Sequence, residues 1–560
     1  MRRSTLRSRL ALLGVSAAVT ALVLAPLAAP GYVLSYDMVF VPHQPLRADL
    51  VAPSATLPRA VPLDALVSLA TQVVPGWAVQ RIALLALLFC AAVGAGRLVP
   101  AGSVLPRLVA AVGYAWTPYL AERLLLGQWA LLLAYAALPW IVAEAVRFRE
   151  GDRRALPRLV LVAAPAAVTP TGGVIAVVVT AVLLARRDAW RGALAAVAGV
   201  ALLNAPWLVA TALTSADARS DPDGIAAFAA RAENWSGALG ALAGTGGIWN
   251  AQTTLPSQSS PLAPAGTVLL LALAVAGWGA LRRGWPPGTA VRLAVLAGGG
   301  FAVAALAVLP GGAALLRWLV ASVPGAGLIR DGHKFLMPYA LLLCLAAALG
   351  AARLAGHLAV RLGGPAAPAL LAGALLLPVL MMPDLAFGGA GRLRPVAYPA
   401  DWAVVARQIG QRPGEVVSLP LGGYRTYPWN AGRTVIDPLP RYVDADVLVD
   451  DALIVGGLVV QGENPRVAAV SGLIAAGAPV AAAGMRWVVV QRVVGGRLPA
   501  GALTGLRLVH AGKDLSLYEN PAATARPVMS PSVPVVVAGL VSIMVLLAAA
   551  VALRTKATAW

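Results

Sequence analysis

The acid best placed for chemistry in this chain is Asp37, within the stretch GYVLSYDMVFVPHQPLRAD (31–49) that follows directly on a long apolar run. A carboxylate held where such a run leaves a membrane can act as general base towards a sugar hydroxyl, if its surroundings position it for that work. His43, Gln44 and Asp49, a few residues on, carry the donors and acceptors that hold sugar hydroxyls. The plainer reading stands beside this one: Asp37 caps a following helix or pairs with Arg47 or Arg59, and the other three are solvated loop residues.

A second cluster, Arg330-Asp331-Gly332-His333-Lys334, precedes another apolar run. Arg330 and Lys334, with His333 between them, suit a phosphate group, Arg by paired contacts and Lys as a point charge. Its alternative is internal pairing of Arg330 with Asp331, with Lys334 extended towards water. Glu122, Arg123 and Gln128 lie in a third short polar segment, WTPYLAERLLLGQW (116–129), where Glu122 and Arg123 can reach substrate or simply pair with each other. Trp249, beside Asn250 and Gln252, has the aromatic-plus-amide chemistry that sugars favour, and ordinary packing explains it as well. Tyr424, Arg425, Tyr427, Trp429 and Asn430 read as a carbohydrate-contact surface or as a domain's own core. The sequence has no GxxxxGK[ST] loop, HExxH or CxxC, and its four histidines match no metal-ligand spacing, so an ATPase or zinc hydrolase is unsupported.

The elements that must position these residues are membrane spans. Of 560 residues, 59% are hydrophobic and 12% charged, with a mean hydropathy of +0.78; soluble domains carry about a quarter charged residues. The net charge of +20 comes from arginines in short loops and is no sign of nucleic-acid binding. Cys90 and Cys344 both lie in apolar runs and form no disulfide framework. Apolar runs near the roughly 20 residues a spanning helix needs fall at 10–33, 78–98, 103–120, 128–147, 157–169, 172–186, 191–213, 264–281, 291–310, 335–355, 366–386 and 532–553. The short pair at 157–186 reads as two spans joined by a tight turn, or as one re-entrant hairpin. If all are spans, the basic clusters (Arg2 to Arg9, Arg97 with Arg107, 147–158, 186–191, 282–292, Arg353 with Arg361, Arg554 with Lys556) share one side. The positive-inside rule makes that side and both termini cytoplasmic, with Asp37 outside. The first run reads as an uncleaved anchor, because Pro30 would block cleavage after Ala29.

The first outer loop continues into PRAVPLDALVSLATQVVPGWAVQ, which suits an amphipathic helix lying in the interface. The longest outer segment changes character. EVVSL (415–419), RWVVV (486–490) and LSLY (515–518) alternate as strands do, and 402–411 and 465–476 have helical periodicity. The expected fold is therefore an α-helical polytopic membrane protein of about twelve spans. A transmembrane domain covers 1–386, a small extracytoplasmic α+β domain 387–531, and a last helix with a short tail 532–560.

Three stretches, ERLLLGQWALLLAYAALPW (122–140), PGAGLIRDGHKF (324–335) and GMRWVVVQ (484–491), together with an acid just past the first span, give the chain a resemblance to the GT-C glycosyltransferase superfamily. The nearer resemblance is to the membrane half of actinobacterial lipid-linked arabinofuranosyltransferases and to YfhO-like membrane proteins. It implies a GT-C-like fold in the plasma membrane, with Asp37 in the position of the catalytic acid. It also implies a polyprenyl-phosphate sugar as donor, its phosphate near Arg330, His333 and Lys334. A sugar, arabinofuranose in the nearest relatives, would pass to a cell-envelope glycan acceptor. His43, Gln44, Asp49, Glu122, Arg123, Gln128 and Trp249 are then possible sugar or acceptor contacts. The first loop has no DxD and no adjacent acidic pair, which leaves the need for a divalent cation open. A non-catalytic envelope scaffold and a lipid-linked glycan transporter are the competing readings; against the transporter, the spans are nearly free of charge.

Overall fold

Prolines and helix caps divide the apolar runs more finely than hydropathy suggests. The computed structural model describes residues 2–51, 60–214, 220–362, 366–462, 464–494, 498–499, 501–523 and 530–555; Arg59 and Lys556 fall outside them. Among the described residues seven helices are long and apolar enough to cross a membrane: Leu6–Ala28, Gly76–Leu98, Trp129–Arg149, Ala263–Gly284, Thr289–Leu306, Gly332–Arg361 and Val533–Thr555. The number rises to nine if each of two bent pairs is one span: Trp190–Leu202 with Ala205–Leu213, bent 55°, and Ala367–Met381 with Pro383–Gly391, bent 66°.

The expected count of twelve is therefore reduced. The run at 103–120 breaks at Trp116, because Thr117 is extended, caps the next helix through its hydroxyl and precedes Pro118. Proline disfavours helical geometry in the residue before it and supplies no amide to the turn before. The resulting helices, Leu105–Ala115 and Pro118–Leu125, have 11 and 8 residues. Ala155–Ala166 and Pro170–Leu184 are likewise too short; the latter's 15 residues rise about 22 Å against a hydrocarbon core of about 30 Å.

Trp129–Arg149 and Gly332–Arg361 are the most enclosed of the long helices, whereas Ala263–Gly284 and Val533–Thr555 are the least. Small residues set the closest crossing: a Cβ on Gly277 would lie 1.9 Å from the Ala346 carbonyl oxygen, and one on Gly350 1.8 Å from that of Leu273. Only glycine permits that backbone approach. The amphipathic segment after the first loop is shorter than expected. Its helix is the nine-residue Leu63–Thr71, and its tail opens the span Gly76–Leu98. Leu66, Leu69 and Val73 are exposed, while Ser68 and Thr71 face the protein.

Between Pro395 and Glu519 the chain forms an α+β unit. Its five-stranded sheet runs in the order Arg507–Ala511, Leu515–Glu519, Trp487–Gln491, Val416–Gly422, Val447–Asp450. The last three strands pair in parallel and the first two join antiparallel. The alternating and apolar patterns at 415–419, 486–490 and 515–518 are strands, with Val416, Val417, Leu419 and Val489 fully buried. The helical patterns are Ala400–Gln411 and Pro465–Ala475.

This unit is stitched to the first loop. Tyr32–Val33 pairs antiparallel with Pro395–Val396, and the Gln80 amide on the second span donates to Val33 O at 2.7 Å and accepts from Val33 N at 3.0 Å. Tyr398, Trp402, Tyr427, Trp429 and Tyr442 form one aromatic cluster behind it. The surface reading of 424–430 is overturned for most of its residues. Tyr427 (1% exposed), Arg425 (4%) and Asn430 (0%) are buried. Arg425 pairs with Asp437 at 3.1 Å, and Tyr427 donates to Gln491 at 2.7 Å.

Candidate functional site

Asp37 lies in a tight turn closed by Met38 N donating to Ser35 O at 2.8 Å. Tyr36 sits within it at φ +43°, a conformation costing a side-chain-bearing residue about 1–2 kcal/mol. Two neighbours hold it there. On one side Tyr36 N donates to Thr434 O at 2.8 Å and Ile436 N to Tyr36 O at 2.9 Å, so the turn extends an edge of the α+β unit. On the other, Asp37 N donates to Leu126 O at 3.1 Å and Ser35 Oγ to Leu125 O at 2.7 Å. Gly127 (φ +78°) makes that contact possible: a Cβ there would stand 2.2 Å from Ser35 O and 2.3 Å from Met38 N.

The clamp presents the Asp37 carboxylate to two donors. Gln128 Nε2 reaches Oδ2 at 3.1 Å, and the Tyr424 hydroxyl donates to Oδ1. Each oxygen keeps a further lone pair for another partner. Arg47, an expected partner, instead pairs with Asp49 (Nε to Oδ1, 2.9 Å) and donates to the carbonyls of Pro440, Val443 and Ala445.

From Gln128 the bonding continues inward. Its Oε1 accepts from Arg123 Nη1 at 2.6 Å. Arg123 is fully buried and grips Asp331 with both terminal nitrogens, at 2.7 and 2.9 Å. Burial works to raise the Asp331 pKa, but the Arg123 charge and its paired hydrogen bonds prevail and hold that carboxyl below the usual carboxylate range. Arg123 Nη2 also meets His333 Nδ1 at 2.9 Å, and His333 Nε2 meets Gly246 O at 3.1 Å. Arginine only donates and a carbonyl only accepts, so His333 is the neutral tautomer with its proton on Nε2. Tyr119 stacks on the imidazole at 5.2 Å and donates its hydroxyl to Lys334 O at 3.0 Å. The Lys334 ammonium is 3.8 Å from Asp331 Oδ2, and the Asp37 charge also acts on it. Trp249 Nε1 points at Asp331 Oδ2 from 3.4 Å.

Asp37, Gln128, Arg123, Asp331, His333, Lys334 and Trp249 are thus brought into one cluster. The two internal pairings expected as alternatives are not made. Asp331 pairs with Arg123, while the Arg330 guanidinium lies 4.9 Å over the Phe228 ring, which packs edge-on to Trp249. Glu122 does not pair with Arg123; it accepts from Gln258 Nε2 at 2.6 Å and from Ile248 N at 3.3 Å, and its Oε2 lies 3.5 Å from His333 Nε2 at the edge of the cluster. Burial, and next the neighbouring Glu233, push the Glu122 carboxyl well above the usual carboxylate range. His43, Gln44 and Asp49 lie apart from the cluster. His43 Nδ1 bonds Thr71 O at 2.9 Å, Gln44 bonds Thr71 and Asp64, and Asp49 holds Arg47.

Sequence reasoning missed Tyr424 as a partner of Asp37, and missed Gln258 and Glu233 as partners of Glu122. No local pattern marks any of them, since each comes from a segment over a hundred residues distant from its partner. Among the described residues no group of three or more His, Cys, Asp or Glu is close enough to hold a metal ion.

No protein-family profile and no curated protein sequence matches the chain. Solved structures do. The cryo-EM structure of the mycobacterial arabinofuranosyltransferase AftD superposes with a TM-score of 0.56 at 17% identity, covering 93% of this chain and 40% of that one. A structure of an AftD point mutant gives 0.57 at 18% identity, covering 93% and 42%. The chain therefore shares its fold with part of that structure and spans about two-fifths of the neighbour's length.

Proposed function

We propose that this protein is a membrane glycosyltransferase that moves a sugar, arabinofuranose in the first instance, from a polyprenyl-phosphate donor to a cell-envelope glycan at the outer face of the plasma membrane. The observation that carries the proposal is the union of Asp37 with the 330–334 segment through Gln128 and Arg123. A base and a cation for a leaving phosphate belong to one site in such a reaction. The likeness of fold to AftD supports the class of reaction.

In this reading the acceptor oxygen attacks the anomeric carbon as the bond from that carbon to the phosphate oxygen breaks. Asp37 takes the hydroxyl proton. Polyprenyl phosphate leaves with the bonding electrons and gains one negative charge, which Lys334, with Arg330 nearby, stabilises. Arg123 is already matched by Asp331, and His333 is neutral, so the two serve to position Gln128 and Lys334. Trp249 and Gln128 line the sugar's approach. His43, Gln44 and Asp49 shape the first loop.

Asp37→Asn is expected to abolish transfer from a radiolabelled polyprenyl-phosphate sugar while folding and expression stay normal; full activity would refute the base assignment. Lys334→Ala and Arg330→Ala are expected to weaken donor binding, measured with a donor analogue, and unchanged affinity in both would dismiss the phosphate site. The second reading is a non-catalytic scaffold of the same fold. It is favoured by the pairing of Arg123 with Asp331 and His333, and predicts glycan binding that survives Asp37→Asn with no turnover in the parent.

A further inference from the structure

The helix Trp129–Arg149 begins beside the Asp37 cluster and ends, 21 residues later, about 30 Å away. At that far end, a cleft of about 980 Å³ opens among four helices, Trp129–Arg149, Pro170–Leu184, Trp190–Leu202 and Thr289–Leu306. Arg149, Arg186, Arg187 and Arg292 line it, with Asp188 as the one acid. Four guanidinium groups against one carboxylate leave three positive charges uncompensated.

Two of these arginines are held in place without being neutralised. Arg149 Nη2 donates to Pro287 O at 2.9 Å and Arg292 Nη1 to Val182 O at 2.8 Å. Arg149 Nε is buried without a hydrogen-bond partner. Among the described residues, only Arg186 of the four is matched by a carboxylate, that of Asp188. Neutral carbonyl partners orient a guanidinium but leave its charge, and like charges gathered in a partly dry cleft attract an anion.

The remaining wall is apolar. Trp190 and Leu194 are exposed by 56% and 58%, and Val197 continues the same face of its helix. A small inorganic anion would use the arginines and leave this wall and most of the volume unfilled. A ligand with a phosphate head and hydrocarbon chains would use both. Tryptophan at such a boundary is a usual interfacial anchor, and basic pockets between membrane helices are suited to anionic lipid headgroups.

We propose that this cleft is a binding site for an anionic phospholipid, with its phosphate among Arg149, Arg187 and Arg292 and its acyl chains along Trp190, Leu194 and Val197. The site is separate from the Asp37 cluster and does not rest on the proposed reaction.

The test uses the full-length protein in detergent, with thermal shift and native mass spectrometry during titration by phosphatidylglycerol, phosphatidylcholine or inorganic phosphate. Half-maximal stabilisation is expected at a phosphatidylglycerol concentration at least tenfold below that for phosphatidylcholine. Arg149→Gln with Arg292→Gln should reduce the preference to less than twofold. Arg187→Glu, at an exposed position, should do the same should the double variant fail to fold. Leu194→Asp should weaken lipid binding and leave inorganic phosphate unaffected. Equal response to the two lipids, or a preference kept in the arginine variants, overturns the proposal. Inorganic phosphate matching phosphatidylglycerol shows a free-phosphate site and overturns it too, as does capture of an acidic protein with no lipid preference.

Discussion

Gly127→Ala tests the clamp that positions Asp37, and its magnitude follows from the geometry. The position has φ +78°, where a side chain costs roughly 1–2 kcal/mol. The new methyl carbon would stand 2.2 Å from Ser35 O, 2.3 Å from Met38 N and 2.8 Å from Met38 Cβ. The first two atoms are backbone and cannot rotate aside, so the 35–38 turn must retreat by about 1 Å to regain ordinary contact. That retreat takes Asp37 N–Leu126 O and Gln128 Nε2–Asp37 Oδ2, both now 3.1 Å, beyond bonding distance. Losing one backbone bond and one bond to a charged group costs about 2–4 kcal/mol together. A 1 Å displacement of a catalytic group lowers rate by about a hundredfold. Transfer activity is expected to fall by at least that factor, with a lowered melting temperature. Gly298→Ala, in Thr289–Leu306 with nothing within 4 Å of the new carbon, is the matched control and should lower neither, since alanine there only favours the helix. A Gly127→Ala protein with parental activity and melting temperature would refute the close-approach argument.

Two further perturbations probe the buried charges in and beside the cluster. The Glu122 carboxyl is raised by burial and by Glu233, so the folded chain binds its proton more tightly than the unfolded chain does. Its contribution to stability is complete below the unfolded value near 4.3 and is lost as pH rises through the folded value. Glu122→Gln, which resembles the protonated acid, should flatten the fall of melting temperature with rising pH; identical slopes in parent and variant would contradict the assignment. Asp331→Asn strands the fully buried Arg123 charge and should destabilise by roughly 3–5 kcal/mol. Arg123→Met with Asp331→Leu should recover most of that loss in thermal denaturation. Equal stability of the single variant and the parent would show that the pair carries little.

The local patterns of the sequence were readable where one element suffices to define them. Short valine-rich runs at 415–419 and 486–490 are enough to specify strands, and as interior strands of the sheet they are buried on both faces. Helical periodicity over 465–476 was enough to place Pro465–Ala475. The count of spans was less legible. Hydropathy sums over the Trp116–Pro118 break and the bends at 204 and 382, since a capped or proline-led break changes direction without changing polarity.

Sequence by itself determined that this is a helical membrane chain and which polar residues lie at the ends of its apolar runs, because those properties depend on composition and periodicity. It also raised Asp37, Gln128, Arg123 and the 330–334 segment as candidates. Only the tertiary structure decided their partners. Asp331 takes Arg123 across 208 residues, and Asp37 takes Tyr424 across 387, displacing neighbours that lay closer along the chain. The reason is burial. In the interior a charge must find its best-matched partner through space, and nearness in sequence, which governs exposed loops, no longer decides the pairing.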